Sequence, residues 1–358
     1  MQHIVIIGAG IIGAAIACNL QSASTQVTIV DAGNANATNA SFGWINASFF
    51  ANDHHFALRQ EGMKAYGRLP SDLELPINWS GCLCWENEGA ALDAQYEELV
   101  ELGYDVKLID AQEFARLEPN VPDVPERSLY FNGEAAADSG ELAKALLLNA
   151  VKNGARHIAG TQVTDFKRDG KKVVGVETTA GAISSDDVVI AAGTSTGNLA
   201  SMLGVQVPML DRPGLMIRTK PIRPFLEHVL VSETGEVRQL PDGSVIMPAA
   251  VGHQGDTATH ITGNVHEHAD QAMGRLRNLL PNADLELAQM TLAYRPVPQD
   301  GLPVVGRILD GAYVATLHSG ITLAALMGEL IASELSNEVS HKTEKWLSLY
   351  RPKRFESA

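Results

Sequence analysis

The chain is poor in cysteine, in positive charge and in long apolar runs, and each shortage excludes something. Its three cysteines, Cys18, Cys82 and Cys84, are odd in number and form no CxxC pair. That excludes a disulfide framework and a cysteine-built zinc site, and it fits a reducing compartment. Against 42 Asp and Glu there are only 27 Lys and Arg, a net charge of -15. Nucleic acid and anionic membrane surfaces both require a positive footprint, so neither is expected as a partner. A small anionic substrate would have to be met by local positive charge. No uninterrupted apolar run reaches membrane length. The stretch 4–17 is too short, is broken by glycines and has no basic flank, so it reads neither as a span nor as a leader. The expected address is the cytoplasm. What remains is ordinary for a globular chain, with 45% hydrophobic and 19% charged residues over a length that usually holds more than one domain.

Residues 3–7 read as a buried strand, 11–21 as a helix and 26–30 as a second buried strand, which makes a βαβ unit. Helices are expected around 56–68 and 90–102, with a proline-punctuated loop at 119–125. An amphipathic helix follows at 140–154, then strands at 173–178 and 187–192. Residues 205–292 are strand-rich, with turns at 241–243 and at Gly252 and a helix at 267–280. The end returns to α/β, with a strand at 312–316 and a helix at 321–335. There is no internal repeat.

Gly8, Gly10 and Gly13 spell GxGxxG between the first strand and the first helix. Gly8 permits the tight turn, Gly10 lets a pyrophosphate approach the backbone at Ile11 and Ile12, and Gly13 lets the helix pack on the strand. The helix N-terminus then favours the phosphates. Asp31, at the end of the second strand and followed by Ala32, is placed to accept hydrogen bonds from a ribose.

Further stretches follow in order. These are ATNASFGWIN at 37–46, GAR at 154–156, TQV at 161–163 and VVIAAGTS at 188–195. RPxxxDGxPxxG begins at Arg295, and HSGITL stands at 318–323. Together with the fingerprint they resemble the flavoprotein superfamily of D-amino-acid oxidase, glycine oxidase and sarcosine oxidase. The resemblance implies an α/β fold with a Rossmann-like FAD-binding domain, and a second α+β substrate domain built on an antiparallel sheet. The FAD domain would be discontinuous, 1–50, 138–204 and 295–358, with 51–137 and 205–294 forming the substrate domain. Ser41, Phe42, Gly43, Trp44 and Asn46 would line the flavin, Val163 would meet the adenine, and Ala192 and Gly193 would lie near the phosphates. Gly320, Ile321 and Thr322 would present a helix N-terminus to the flavin, stabilising negative charge as it is reduced.

The cysteine that carries flavin covalently in the sarcosine-oxidase branch is missing near 292–296, so non-covalent FAD is expected. His54 and His55 are read as solvated loop histidines rather than attachment points. The implied activity is oxidative deamination of a small amino acid or N-alkyl amino acid, by hydride transfer to flavin. The electron acceptor would be O2 or a redox partner, and the oligomeric state stays open. The alternatives are a hydroxy-acid dehydrogenase of the same superfamily, and the flavin subunit of a multi-subunit amine or opine dehydrogenase. A non-enzymatic nucleotide-binding protein is disfavoured by the Arg295 motif.

Arg295 is the candidate carboxylate anchor, because a guanidinium matches a carboxylate in a planar fork; its rival reading is a structural ion pair. Tyr294 would point away from Arg295 by strand alternation and reads slightly better as core packing. His318 reads equally as a substrate or flavin contact and as a structural histidine. Tyr66, Tyr130, His253 and His260 are only weakly placed. His260, His266 and His268 lack acidic or cysteine support and read as a solvated face rather than a metal site. Trp44 and Trp79 read as core or pocket wall.

Overall fold

Residues 4–7 are uniformly apolar because both faces of their strand are covered. The strand, Gln2–Ile7, lies inside a six-stranded sheet. The order is Val304–Leu309, Ala312–Thr316, Asp187–Ile190, Gln2–Ile7, Thr25–Val30 and Arg156–Ile158. All neighbours run parallel except the hairpin Val304–Leu309 with Ala312–Thr316. Side-chain alternation sends Ile4, Ile6 and Val189 to one face, where they meet helices. Val5, Ile7, Val188 and Ile190 go to the other, against Val163, Phe166, Val173 and Val176. Those last residues belong to a three-stranded antiparallel sheet, Val163–Asp169, Lys172–Thr178 and Ile183–Ser184.

The fingerprint helix, Ile11–Asn19, is buried from Ile11 through Cys18. A nine-residue helix is marginal on its own in water, so its stability comes from packing. It lies between helices Ser139–Lys152 and Gly320–Leu335, which explains its all-round small and apolar composition.

A second sheet has eight strands. Their order is Leu287–Tyr294, Pro213–Thr219, Val245–Pro248, Gly235–Gln239, Val229–Ser232, Cys82–Cys84, Arg127–Phe131 and Lys107–Asp110. One face packs Ile217, Leu230, Val237 and Met247 against helix Val265–Leu279. The other packs Cys82, Cys84, Val229 and Val231 with Leu92 and Leu99 of helix Gly89–Glu101. The expected antiparallel sheet is therefore found with one correction: Cys82–Cys84 and Val229–Ser232 pair parallel, where two sequence-distant segments join. All three cysteines are buried and free. The α/β class holds, and the expected helices appear with ends displaced by a few residues. The strand Lys107–Asp110 and the helix Ala111–Leu117 carry no signal read from the sequence.

The computed structural model describes residues 1–20, 24–34, 36–250, 258–336 and 341–356; Gln21, Gly252 and His253 lie outside them. Among the described residues no helix is long and apolar enough to cross a membrane.

Candidate active site

Gly8 leaves the first strand at φ 104°, and a Cβ there would stand 2.5 Å from the Ala191 carbonyl oxygen. A Cβ on Gly13 would stand 2.0 Å from the Gly8 carbonyl oxygen. These two glycines are required by packing. Gly10 is different, because its Cβ would meet only Thr38 Oγ1, at 3.3 Å. Gly10 borders a cavity of about 590 Å³.

Most of the expected cofactor residues border that cavity. Gly8, Gly10, Ile11 and Ile12 do so at one end of the central sheet, with Asp31 and Ala32 beside them. Ser41, Val163, Ala192, Gly193, Gly320 and Ile321 complete the set. Gly13 does not border it and acts through helix packing. The Asp31 carboxylate accepts from the amides of Ala9 and Gly33, each at 2.8 Å, so it also braces the fingerprint loop. Four helices have their first turns capped by the side chains of Asn52, Asp110, Asp138 and Asn264. The helices Ile11–Asn19 and Gly320–Leu335, which open on the cavity, have no such cap from their own N-cap residues. The Ile11 amide donates to Thr38 Oγ1 at 3.1 Å. The other first-turn N–H groups and the positive helix ends suit an anion there. Gly10 at the cavity edge, the two helix N-termini and the Asp31 carboxylate together fit a dinucleotide.

A second cavity, of about 420 Å³, adjoins the first, and Ser41, Tyr294, His318 and Ile321 border both. Phe42, Gly43, Trp44, Asn46, Thr322 and Arg295 border the second only. Tyr294 is 46% exposed, so the core-packing reading is overturned. The alternation argument fails because the strand stops at Tyr294. The Arg295 amide bonds to the Arg212 carbonyl at 2.8 Å and the chain turns, leaving both side chains beside the cavity. His318 is exposed to the cavity space, which protein surrounds on the side of Arg59 and Arg295. Burial, with Arg295 and Arg59 adding repulsion, pushes its pKa down to about 4, so it is neutral near pH 7.

Several site residues carried no recognised signal. Arg59 borders the second cavity, buried on helix Asp53–Ala65. Its guanidinium donates to the Asn46 carbonyl at 3.0 Å, to Asn46 Oδ1 and to Ser319 Oγ at 2.5 Å. Burial lowers its pKa to about 10, with Glu134 and Tyr104 opposing, so it stays charged. A cation on the buried stripe of Phe56, Leu58 and Gly62 was the available clue. Glu134 is fully buried behind the 44–48 segment. It accepts from Trp44 Nε1 at 2.8 Å, the Ser48 amide at 3.2 Å and the Tyr104 hydroxyl at 2.6 Å. Burial still raises its carboxyl to about pKa 7. Arg238 donates to the carbonyls of Phe42 at 2.5 Å and Ala137 at 2.8 Å, holding the same segment from the sheet side. Thr322 is spent internally, its hydroxyl joining the Asn46 amide and the Trp44 carbonyl.

Other expectations are corrected or displaced. His54 and His55 are helical rather than in a solvated loop. His54 pairs with the Tyr350 hydroxyl at 2.9 Å, and His55 is buried and accepts from the Ala51 amide at 3.1 Å. Trp79 is 47% exposed and borders neither cavity, whereas Trp44 is a buried cavity wall. Tyr66 is buried and donates to the Ile321 carbonyl, and the Tyr130 hydroxyl serves Asn132. His260 and His268 border the second cavity, and no metal-ligating cluster occurs among the described residues. In the Arg295 motif, Asp300 pairs with Arg354 at 2.7 Å and tethers the C-terminal segment instead of lining either cavity.

The family model described as FAD dependent oxidoreductase matches residues 3–334. Glycine oxidase of Pseudomonas aeruginosa is 27% identical, over 94% of this chain and 95% of its own. One subunit of the opine oxidase of Rhizobium meliloti is 22% identical, over 98% and 97%. The crystal structure of L-proline dehydrogenase from P. horikoshii has the same fold, with a TM-score of 0.86 at 20% identity, covering 99% of this chain and 98% of that one.

Proposed function

Because the chain belongs to the family of FAD dependent oxidoreductases, we propose that it oxidises the carbon next to nitrogen in a small amino acid or N-alkyl amino acid. The observation that carries this reading is the junction of the two cavities, where the space bordered by Gly10 and Asp31 meets a smaller one bordered by Arg295 and neutral His318. When bound, FAD supplies the hydride acceptor. Gly10 and the N-terminus of helix Ile11–Asn19 would hold its pyrophosphate and Asp31 its ribose, with Val163 near the adenine. Ser41, Trp44 and the start of helix Gly320–Leu335 would hold the flavin end. Arg295 would fix the substrate carboxylate, so that orientation rather than acid–base power supplies much of the rate. His318, neutral, would hydrogen-bond without adding charge. The domain division proposed from the sequence, 51–137 with 205–294 against the rest, puts this junction between the two units.

The test is an anaerobic screen of amino acids, N-alkyl amino acids and 2-hydroxy acids for bleaching of the bound flavin. It is followed by turnover with O2 or with a dye. Fastest bleaching by an amino acid supports the reading; fastest bleaching by a hydroxy acid transfers it to the hydroxy-acid dehydrogenase alternative. Turnover with dye but not O2 would favour an electron-relaying partner, in keeping with the name of the opine oxidase relative, which is one subunit of an assembly.

Two further outcomes are expected. Acid precipitation should release the FAD into the supernatant, because no cysteine stands near Arg295 and the cysteines are all buried. Yellow colour retained in the pellet would show a covalent link. Asp31→Ala should weaken FAD binding roughly ten- to hundredfold, the loss of charge-assisted hydrogen bonds to a ribose. Asp31→Asn, which keeps one acceptor for the Ala9 amide, should lose less. Unchanged FAD affinity in both would assign the ribose to another acceptor.

A further inference from the structure

Arg59 is buried, and its cation is satisfied only by neutral atoms. Its partners are the Asn46 carbonyl, Asn46 Oδ1 and Ser319 Oγ. Among the described residues no carboxylate stands within ion-pair distance of it. Glu134, which bears on its charge, spends its oxygens on Trp44, Ser48 and Tyr104. A charge removed from water is ordinarily matched by an opposite one. The Arg59 guanidinium borders the second cavity, where a ligand can supply the match.

Ser319 carries that charge into the cavity. It stands at the N-cap of helix Gly320–Leu335, a position at which serine usually bonds a first-turn amide, yet its side chain makes no such bond. Instead Oγ accepts from Arg59 Nη1 at 2.5 Å. A guanidinium has donors only, so the hydroxyl's own proton must point elsewhere. Among the described residues that proton has no acceptor, and Ser319 borders the second cavity. Arg59, Gly62 and Tyr66, spaced three and four apart, share one helical face. A Cβ on Gly62 would stand 2.8 Å from the Thr322 carbonyl oxygen, and Tyr66 donates to the Ile321 carbonyl. That face therefore sits against the first turn of helix Gly320–Leu335. Through Asn46, Arg59 ties this turn to the 41–46 segment. Both are expected to line the flavin.

We propose that the Ser319 hydroxyl donates to a flavin oxygen on which negative charge collects as the flavin is reduced, and that Arg59 is the positioning residue that orients and polarises this hydroxyl. A preorganised donor backed by a fixed cation favours the reduced cofactor over the oxidised one. The assignment rests on the placement of the flavin end proposed above.

The test compares the two-electron midpoint potential of wild-type holoenzyme with that of Ser319→Ala, by equilibration with a reference dye. The variant should favour oxidised over reduced flavin about tenfold more than wild type does, a potential lower by about 30 mV. Arg59→Met should lower it at least as far. Adding Ser319→Ala to that variant should change little further, because the hydroxyl is no longer oriented. Where Arg59→Met does not fold, Ser319→Ala decides alone, since its side chain caps no helix. A serine that merely satisfies Arg59 predicts a lower melting temperature with the wild-type potential, and that result overturns the proposal. Acetate, a bare carboxylate, separates the rival ligand. Acetate binding weakened about tenfold in Ser319→Ala, with an unchanged potential, assigns the hydroxyl to the substrate carboxylate and also overturns it. If the wild-type chain neither purifies with FAD nor binds it when added, the cofactor reading fails first, and the assignment of Ser319 fails with it.

Discussion

Gly13→Ala should yield a protein without bound FAD that melts on the order of 5–10 °C below wild type. The added methyl would stand 2.0 Å from the Gly8 carbonyl oxygen, a backbone atom that has no easy retreat. Gly8 itself is held at φ 104° against the Ala191 carbonyl, and every residue from Ile11 to Cys18 is buried. Overpacking of this kind costs about 1–3 kcal/mol, and each kcal/mol moves the melting point of a sizeable domain by about 2–4 °C. The fingerprint helix would have to lift from its strand, carrying its N-terminus away from the phosphate position. Gly10→Ala is the discriminating companion. Its methyl meets only Thr38 Oγ1 at 3.3 Å, so the melting point of the FAD-free protein should barely change. Its FAD affinity should nevertheless fall by roughly a hundredfold or more, since the methyl occupies space left for the pyrophosphate. Wild-type FAD affinity in Gly10→Ala would mean that the phosphates lie elsewhere.

The contrast between Gly10 and Gly13 also shows what a sequence can disclose. GxGxxG between a buried strand and a small-residue helix is a local pattern, and its requirements are met within a few residues of chain. The strand Gln2–Ile7, the helix Ile11–Asn19 and the helix Gly320–Leu335 were legible for the same reason. The eight-stranded sheet was less so. Its parallel pair, Cys82–Cys84 with Val229–Ser232, joins segments whose local patterns say nothing of each other. Arg59 and Glu134 were missed because little local marks them; Arg59 shares its helix with Asp53, Glu61 and Lys64. Only the folded neighbourhood shows whether such a charge faces solvent or a cavity. The RPxxxDGxPxxG motif was legible as a unit but mixed in purpose. Arg295 borders the second cavity, whereas Asp300 holds Arg354 and a Cβ on Gly306 would press on Pro352 at 2.9 Å. Half of that signal therefore concerns the docking of the C-terminal segment.

Arg295→Lys should lower kcat/KM by several-fold to a few hundredfold, while FAD content and melting temperature hold within error. Arg295 follows directly on the strand end at Tyr294, with its amide fixed to the Arg212 carbonyl at 2.8 Å and Pro296 restricting the next φ. Its side chain also donates to the Arg212 and Pro213 carbonyls at 3.5 and 3.3 Å, at the border of the second cavity. A guanidinium so held can still turn a planar pair of N–H groups to a carboxylate. Lysine would keep the charge and lose the fork, so the transition state would be gripped less well while gross electrostatics were preserved. A structural ion pair makes the opposite demand, a lower melting point with near-normal kinetics. The two readings separate further with the substrate. For an amine lacking a carboxylate, kcat/KM should be low in wild type and nearly the same in Arg295→Lys, because the missing contact has no partner to lose. If such an amine instead proved the best substrate of the wild-type enzyme, Arg295 could not be the carboxylate anchor. The second cavity, with its guanidiniums at Arg59 and Arg295, would then need a different anionic ligand.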